Sequence, residues 1–245
     1  MSTEIDPAST ETPPYEEHVG ASRQYMRDII LGVNDGLVSI FLLIAGVVGG
    51  GLATRQVLLA GIAGAIAGAV SMAAGEYLAT KSQDEVFQRE IALEREHFKY
   101  HWDHEVEELT DMFRDMGVAE EDLPAAVNAF ARDEKPMMEI MKALEFQVVD
   151  DERRSAFAAM FLSGGLFLLG SLPAIIPFFL TDETGVGLFW AAVLTGVGLF
   201  AVGVLKTWIT KTSPIKAGLE NLVIAAVGGV IAYYAGVLFE AAYSA

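Results

Sequence analysis

Cysteine is absent from the 245 residues, which excludes disulfides and every thiolate metal site. Any metal the chain holds must be bound by carboxylate, imidazole, carbonyl or thioether groups. Basic residues are scarce: 16 lysines and arginines stand against 33 aspartates and glutamates, which argues against nucleic acid as a partner. Residues 1–25 carry no apolar core of the kind a secretory leader needs, and Pro13 and Pro14 interrupt them. They read as a disordered acidic tail. Charge is missing altogether from residues 57–70.

What fills the chain is apolar. Hydrophobic residues make up 53% of it, and the mean hydropathy is +0.40, too high for an ordinary soluble domain. A helix crosses the hydrocarbon core with about 20 apolar residues. Five stretches meet that length, near 29–50, 56–79, 156–180, 187–208 and 217–241. The expected fold is an all-α membrane protein with five transmembrane helices per subunit and a cytoplasmic three-helix domain between spans 2 and 3. The expected division is a tail over 1–25, spans 1–2 over 26–80, a helical metal-binding domain over 81–153 and spans 3–5 over 154–245. With the N-terminus inside, fifteen of the 16 basic residues fall on the inner side and only Arg55 outside. The positive-inside rule therefore places the N-terminus and residues 81–153 in the cytoplasm and the C-terminus outside it.

Charged residues inside such spans are the first functional candidates. Asp28 and Asp35 are seven residues apart in the first span, two helical turns, and so share a face. The second span runs the opposite way, which brings Met72 and Glu76 toward the same side. A carboxylate at that depth costs at least ~2.5 kcal/mol, so its default reading is functional. The structural alternatives are that Asp35 caps a kink beside Gly36 and that Glu76 reaches the interface. Carboxylates with a thioether suit a divalent transition metal of intermediate softness. Protonating those carboxylates would couple metal release to proton entry. The glycines of the second span, Gly64 and Gly68, read as helix-packing positions, as do Gly196, Gly203, Gly228 and Gly229. Pro173 and Pro177 are expected to kink the third span.

The polar segment has its own pattern. Residues 81–116 read as one amphipathic helix, with Phe87, Ile91, Phe98, Trp102, Leu109, Phe113 and Met116 on one arc. Glu90, Glu94, His97, His101, His104, Glu105 and Glu108 occupy the next arc. Gly117 ends the helix, a second runs from Asp122 to about Arg132, and Pro136 opens a third with Met137, Met138, Met141 and Glu145. An acidic stripe is most often a solvated face. Here imidazoles interrupt it at three- and four-residue steps, a spacing at which neighbours on a helix can hold one ion. Carboxylate and neutral imidazole both suit Fe2+, Mn2+ or Zn2+.

The stretches DIILGVNDGL and SMAAGEYLATKSQ, with the charged helical segment before the third span, resemble the vacuolar iron transporter family over residues 22–241. The resemblance implies a homodimer with five spans per subunit that exports Fe2+ from the cytosol in exchange for protons. It implies a path at the dimer interface lined by the first span. Asp35 and Met72 match the family's path residues, and Asp28 and Glu76 fall in the same motifs. By spacing, Glu94, Glu105, Glu108, Met141 and Glu145 match the family's cytoplasmic metal ligands. His97 stands where a glutamate is expected and remains a ligand candidate, with His101 and His104 as added ones from the helical wheel. Lys142 stands where a second methionine is expected. The resemblance brings no prosthetic group; its metal, Fe2+ or else Mn2+ or Zn2+, is cargo, and the partners are that ion, protons, lipid and a second copy.

Two rivals stand beside transport. Glu94-x-x-His97 is the local pattern of a ferritin-like di-iron oxidase, but such a site needs a second Glu-x-x-His that the sequence lacks. The expectation is therefore that the chain is not an enzyme. A membrane-anchored binding module would explain the acidic stripe and leave Asp35 without a purpose.

Overall fold

The computed structural model describes residues 22–146, 155–210 and 213–244, and among them all regular structure is helical. The expected tail lies mostly outside the described residues, as does the expected boundary at 153/154. Helix α1 (Ser22–Gly49) starts inside the stretch expected to be tail. Helix α2 (Thr54–Tyr100) follows a short turn in which Gly51 adopts φ 76°, a left-handed conformation that glycine takes without strain. After the polar segment come α6 (Ala156–Ile175), α7 (Pro177–Leu180), α8 (Thr184–Thr210) and α9 (Pro214–Tyr243). Among the described residues, helices α1, α2, α6, α8 and α9 are the five long and apolar enough to cross a membrane.

The third span is interrupted rather than bent. Pro173 is accommodated within α6, whereas Pro177, which has no N–H to donate, starts the separate helix α7. On that side of the bundle the Thr54 hydroxyl donates to the Asp182 carbonyl at 2.8 Å, which ties the start of α2 to the turn before α8.

Helix α1 is the centre of the bundle and packs against α2, α6, α8 and α9. Small residues allow this. A Cβ at Gly36 would overlap the Phe167 carbonyl of α6, and one at Gly236 would overlap the Gly46 carbonyl of α1. The glycines read as packing residues do pack. Gly64 receives Leu43, Gly68 receives the Phe167 ring, and Gly228 and Gly229 receive Leu42 and Phe41. Gly196 meets Leu222, and Gly203 lies on the α9 backbone at Ala217. The outer faces stay apolar and uncovered, for example Leu59, Ile66 and Val70 on α2 and Val223, Ile224 and Ile231 on α9. That is the surface a lipid or a second subunit would cover.

The polar segment departs from expectation in one important way. The single helix expected over 81–116 is two. Helix α2 runs without interruption out of its apolar stretch to Tyr100, and α3 (Trp102–Asp115) begins after a break at His101, whose φ of −137° and ψ of 31° leave the helical region. The two short helices follow as expected, as α4 (Leu123–Phe130) and α5 (Glu134–Leu144). Gly117, with φ 91°, ends the turn after α3. The end of α2 and α3–α5 share one apolar core, with Phe87, Ile91, Phe98, Leu109, Phe113, Leu123, Val127, Met137, Met138 and Met141.

Candidate metal sites in the spans and the polar unit

The break at His101 builds a site. Glu94 and Glu105 are eleven residues apart. On a straight helix that is a rise of roughly 16 Å, too far for one ion. With the chain bent at His101, one ligand atom from each of Glu94, His97 and Glu105 lies within 4.8 Å of the others. His97 Nδ1 stands 3.1 Å from Glu105 Oε1 and 3.8 Å from Glu94 Oε2. Both glutamates are buried, 3% and 2% exposed, while His97 is half-exposed at the mouth. Glu94 Oε1 and Glu105 Oε2 are buried without a hydrogen-bond partner. Buried carboxylate oxygens in that state are costly, and a bound cation is one way to satisfy them.

The electrostatics follow from this crowding. The Glu94 carboxyl is pushed up to about 8, first by burial and then by the carboxylates of Glu105, Glu145 and Glu108. Glu145 is also raised, by burial and then by Glu108, Glu105 and Glu90, while His97 opposes the rise. Glu108 and Glu145 therefore lie within electrostatic reach, though outside the close triad. His101 is exposed at the break itself, its ring 6.3 Å from that of His97. Met141 is fully buried in the apolar core of the unit. Lys142, the residue out of keeping with the family pattern, pairs with Glu139 at 3.1 Å.

In the bundle, Asp35 accepts a hydrogen bond from Ser39 Oγ at 2.9 Å and is half-buried. It shares a four-residue stripe of α1 with Leu31, Ser39 and Leu43; Leu43 packs on Gly64 of α2, whereas Leu31 is exposed, so the other spans leave the stripe open at its Leu31 end. The register with α2 can be read from Phe167, which meets both Gly36 of α1 and Gly68 of α2. Asp35 and Met72 flank those glycines, so they are level to within about one turn. Met72 is half-buried against the bundle core. Glu76 is half-buried one turn farther along α2, and Asp28 is 5% exposed near the same end of α1. Among the described residues, Asp28, Asp35 and Glu76 do not form a close triad of the kind seen in the polar unit.

A family model described as VIT family matches residues 26–237, a stretch that contains every one of these side chains. The chain belongs to the VIT family. Vacuolar iron transporter 1 of Eucalyptus grandis is 30% identical over 218 residues, which cover 89% of this chain and 87% of that protein. Vacuolar iron transporter 1 of Arabidopsis thaliana is 29% identical over the same extent. Protein CCC1 of Saccharomyces cerevisiae is 30% identical over 215 residues, 84% of this chain and 65% of that protein. As a VIT-family chain with five apolar helices of crossing length, it is an integral membrane protein. The plant relatives are named as transporters, in keeping with the expectation that it is not an enzyme.

Sequence reasoning missed the bend that joins Glu94 to Glu105. Its residues, Tyr100, His101 and Trp102, include no glycine or proline to signal it. It also passed over Asn34, beside Asp35, whose Oδ1 is buried without a partner.

Proposed function

We propose that this VIT-family protein moves a divalent metal, Fe2+ first and Mn2+ as a second cargo, out of the cytosol in exchange for protons. In this reading the polar unit over 81–153 is cytoplasmic and gathers the ion at Glu94, His97 and Glu105, with Glu108 and Glu145 adding negative potential. The N-terminus lies on the same side and the C-terminus on the other. Along α2 the triad stands roughly 27 Å from Glu76. Glu76 and Asp28 form the mouth of the path, Met72 supplies a soft ligand inside it, and Asp35 is the deepest carboxylate. A second copy covers the open face of α1 and completes the path.

The observation that carries the reading is Asp35: a half-buried carboxylate within a membrane-crossing helix, steadied by Ser39, on a stripe the chain's own spans leave open at Leu31. Iron as the cargo is supported by the plant relatives, which are named vacuolar iron transporters. The same carboxylates offer the coupling, since a proton and a metal ion compete for one oxygen.

The test is metal flux into proteoliposomes, Fe2+ against Mn2+, with and without an imposed proton gradient. The expected result is gradient-dependent flux that vanishes in Asp35→Ala, while metal binding by the polar unit persists. Folded protein without flux for either ion would refute transport and favour an anchored metal-binding module.

A further inference from the structure

We infer that His97 is the specificity-determining ligand of the polar-unit site, selecting borderline ions such as Zn2+ and Co2+ over the harder Mn2+. This rests on the reading of the triad as a metal-gathering site and adds to it which ions the site takes best. The triad offers two buried carboxylates and one imidazole, with Nδ1 facing both acids at 3.1 and 3.8 Å. The carboxylate oxygens that lack a hydrogen-bond partner, Glu94 Oε1 and Glu105 Oε2, belong to side chains more than nine-tenths buried. His97 is the remaining ligand, and it stands at the half-exposed mouth. In the metal-free protein its Nδ1 faces Glu105 at hydrogen-bond distance; a bound ion would take up the position of that contact.

Carboxylate oxygens accept hard and borderline ions with little discrimination, whereas an imidazole nitrogen strengthens the late first-row ions and does little for Mn2+, Mg2+ or Ca2+. A neutral third ligand also keeps the charge of the set at −2 when both acids are ionised. A third carboxylate would raise attraction for every divalent cation alike. The bend at His101 fixes which nitrogen is used, because it carries Glu105 back onto the Nδ1 side of the ring. His101 and His104 are exposed and outside the triad, so they do not supply this nitrogen.

The test uses the full-length protein in detergent with metal alone as probe, so it does not depend on flux. The chain has four histidines, and a variant with His18, His101 and His104 changed to alanine keeps only His97. With one equivalent of Mn2+, electron-spin-echo modulation should show one imidazole nitrogen in that variant as in the wild type. The signal should vanish in His97→Glu. Competition titration should give a Zn2+-over-Mn2+ preference that falls by about tenfold or more in His97→Glu, with Mn2+ affinity retained. Retained Mn2+ affinity also shows that the variant is folded. Loss of the nitrogen signal when His97 is the only histidine would overturn the inference. So would a Zn2+-to-Mn2+ ratio unchanged in His97→Glu. Failure of flux with these binding results intact would refute transport and leave the ligand assignment standing.

Discussion

Metal binding at the triad should expel a proton, and the size of the effect follows from Glu94. Its carboxyl is pushed up to about 8, so at pH 7 the group is protonated in most molecules of the metal-free protein. A metal ion needs the carboxylate and must displace that proton. At about pH 9 the competition is negligible. At about pH 7 it weakens binding by about tenfold, or roughly 1.4 kcal/mol. With the Glu94 carboxyl at about 8, the number of protons released at pH 7 should be about one. Calorimetric titration of the full-length protein with Mn2+, in buffers of different ionisation enthalpy, reads both the affinity and the proton count. Glu94→Gln keeps the side-chain volume and removes the titrating group. It should lower affinity at pH 9 and remove the roughly tenfold change in affinity between pH 9 and pH 7 that Glu94 causes. An affinity already flat across that interval in the wild type would refute the assignment, as would a proton count unchanged in Glu94→Gln.

The same shift sets how the metal-free polar unit responds to pH. The folded-state value of Glu94 lies above its ordinary 4.5, so its contribution to stability is full below that value and is lost as pH rises through about 8. Amides of α3 should therefore exchange with deuterium more slowly at pH 6 than at pH 9, after correction for intrinsic rates, and added Mn2+ should shrink the difference. In the bundle, Gly36→Ala drives a methyl into the Phe167 carbonyl and should destabilise by about 1–3 kcal/mol, whereas Gly165→Ala, with open space around its Cβ, should gain about 0.5–1 kcal/mol from helix propensity. Thermal unfolding in detergent separates the two signs. Met141→Ala should cost about 2–5 kcal/mol as a core cavity, while Met141→Leu should keep both the fold and the Mn2+ affinity. A loss of affinity in Met141→Leu, measured by the same titration, would support Met141 as a ligand.

The spans were legible because length and lack of charge speak for themselves at 57–70 and in the other apolar runs. The packing glycines were legible because small residues four apart leave few other readings, as Gly64 and Gly68 show. The site was half legible. The helical wheel placed Glu94, His97 and Glu105 on one arc, yet a wheel holds only angle and no axial distance. It could not show that two acids some 16 Å apart on a straight helix meet. The bend has no local breaker, and tertiary packing decides it: Phe98 and Trp102 meet edge-to-face across it with ring centres 5.5 Å apart, and the core draws Leu109 and Phe113 together with Phe87 and Ile91. Met141 illustrates the opposite difficulty. A methionine beside acids reads equally as ligand and as core, and burial alone does not separate the two, because Glu94 and Glu105 are buried as well.

Helix α2 spans 47 residues, about 70 Å, with Met72 and Glu76 on its membrane-embedded part and Glu94 and His97 near its far end. It behaves as a shaft, and the two sets of side chains share one phase. One residue inserted between Thr80 and Phe87 would turn Glu94 and His97 by about 100° relative to Met72 and advance them about 1.5 Å. Only insertions close to whole turns would leave both stations facing as they do. A twist imposed at the Glu94 end of the shaft would be carried along one unbroken helix toward Met72, level with Asp35.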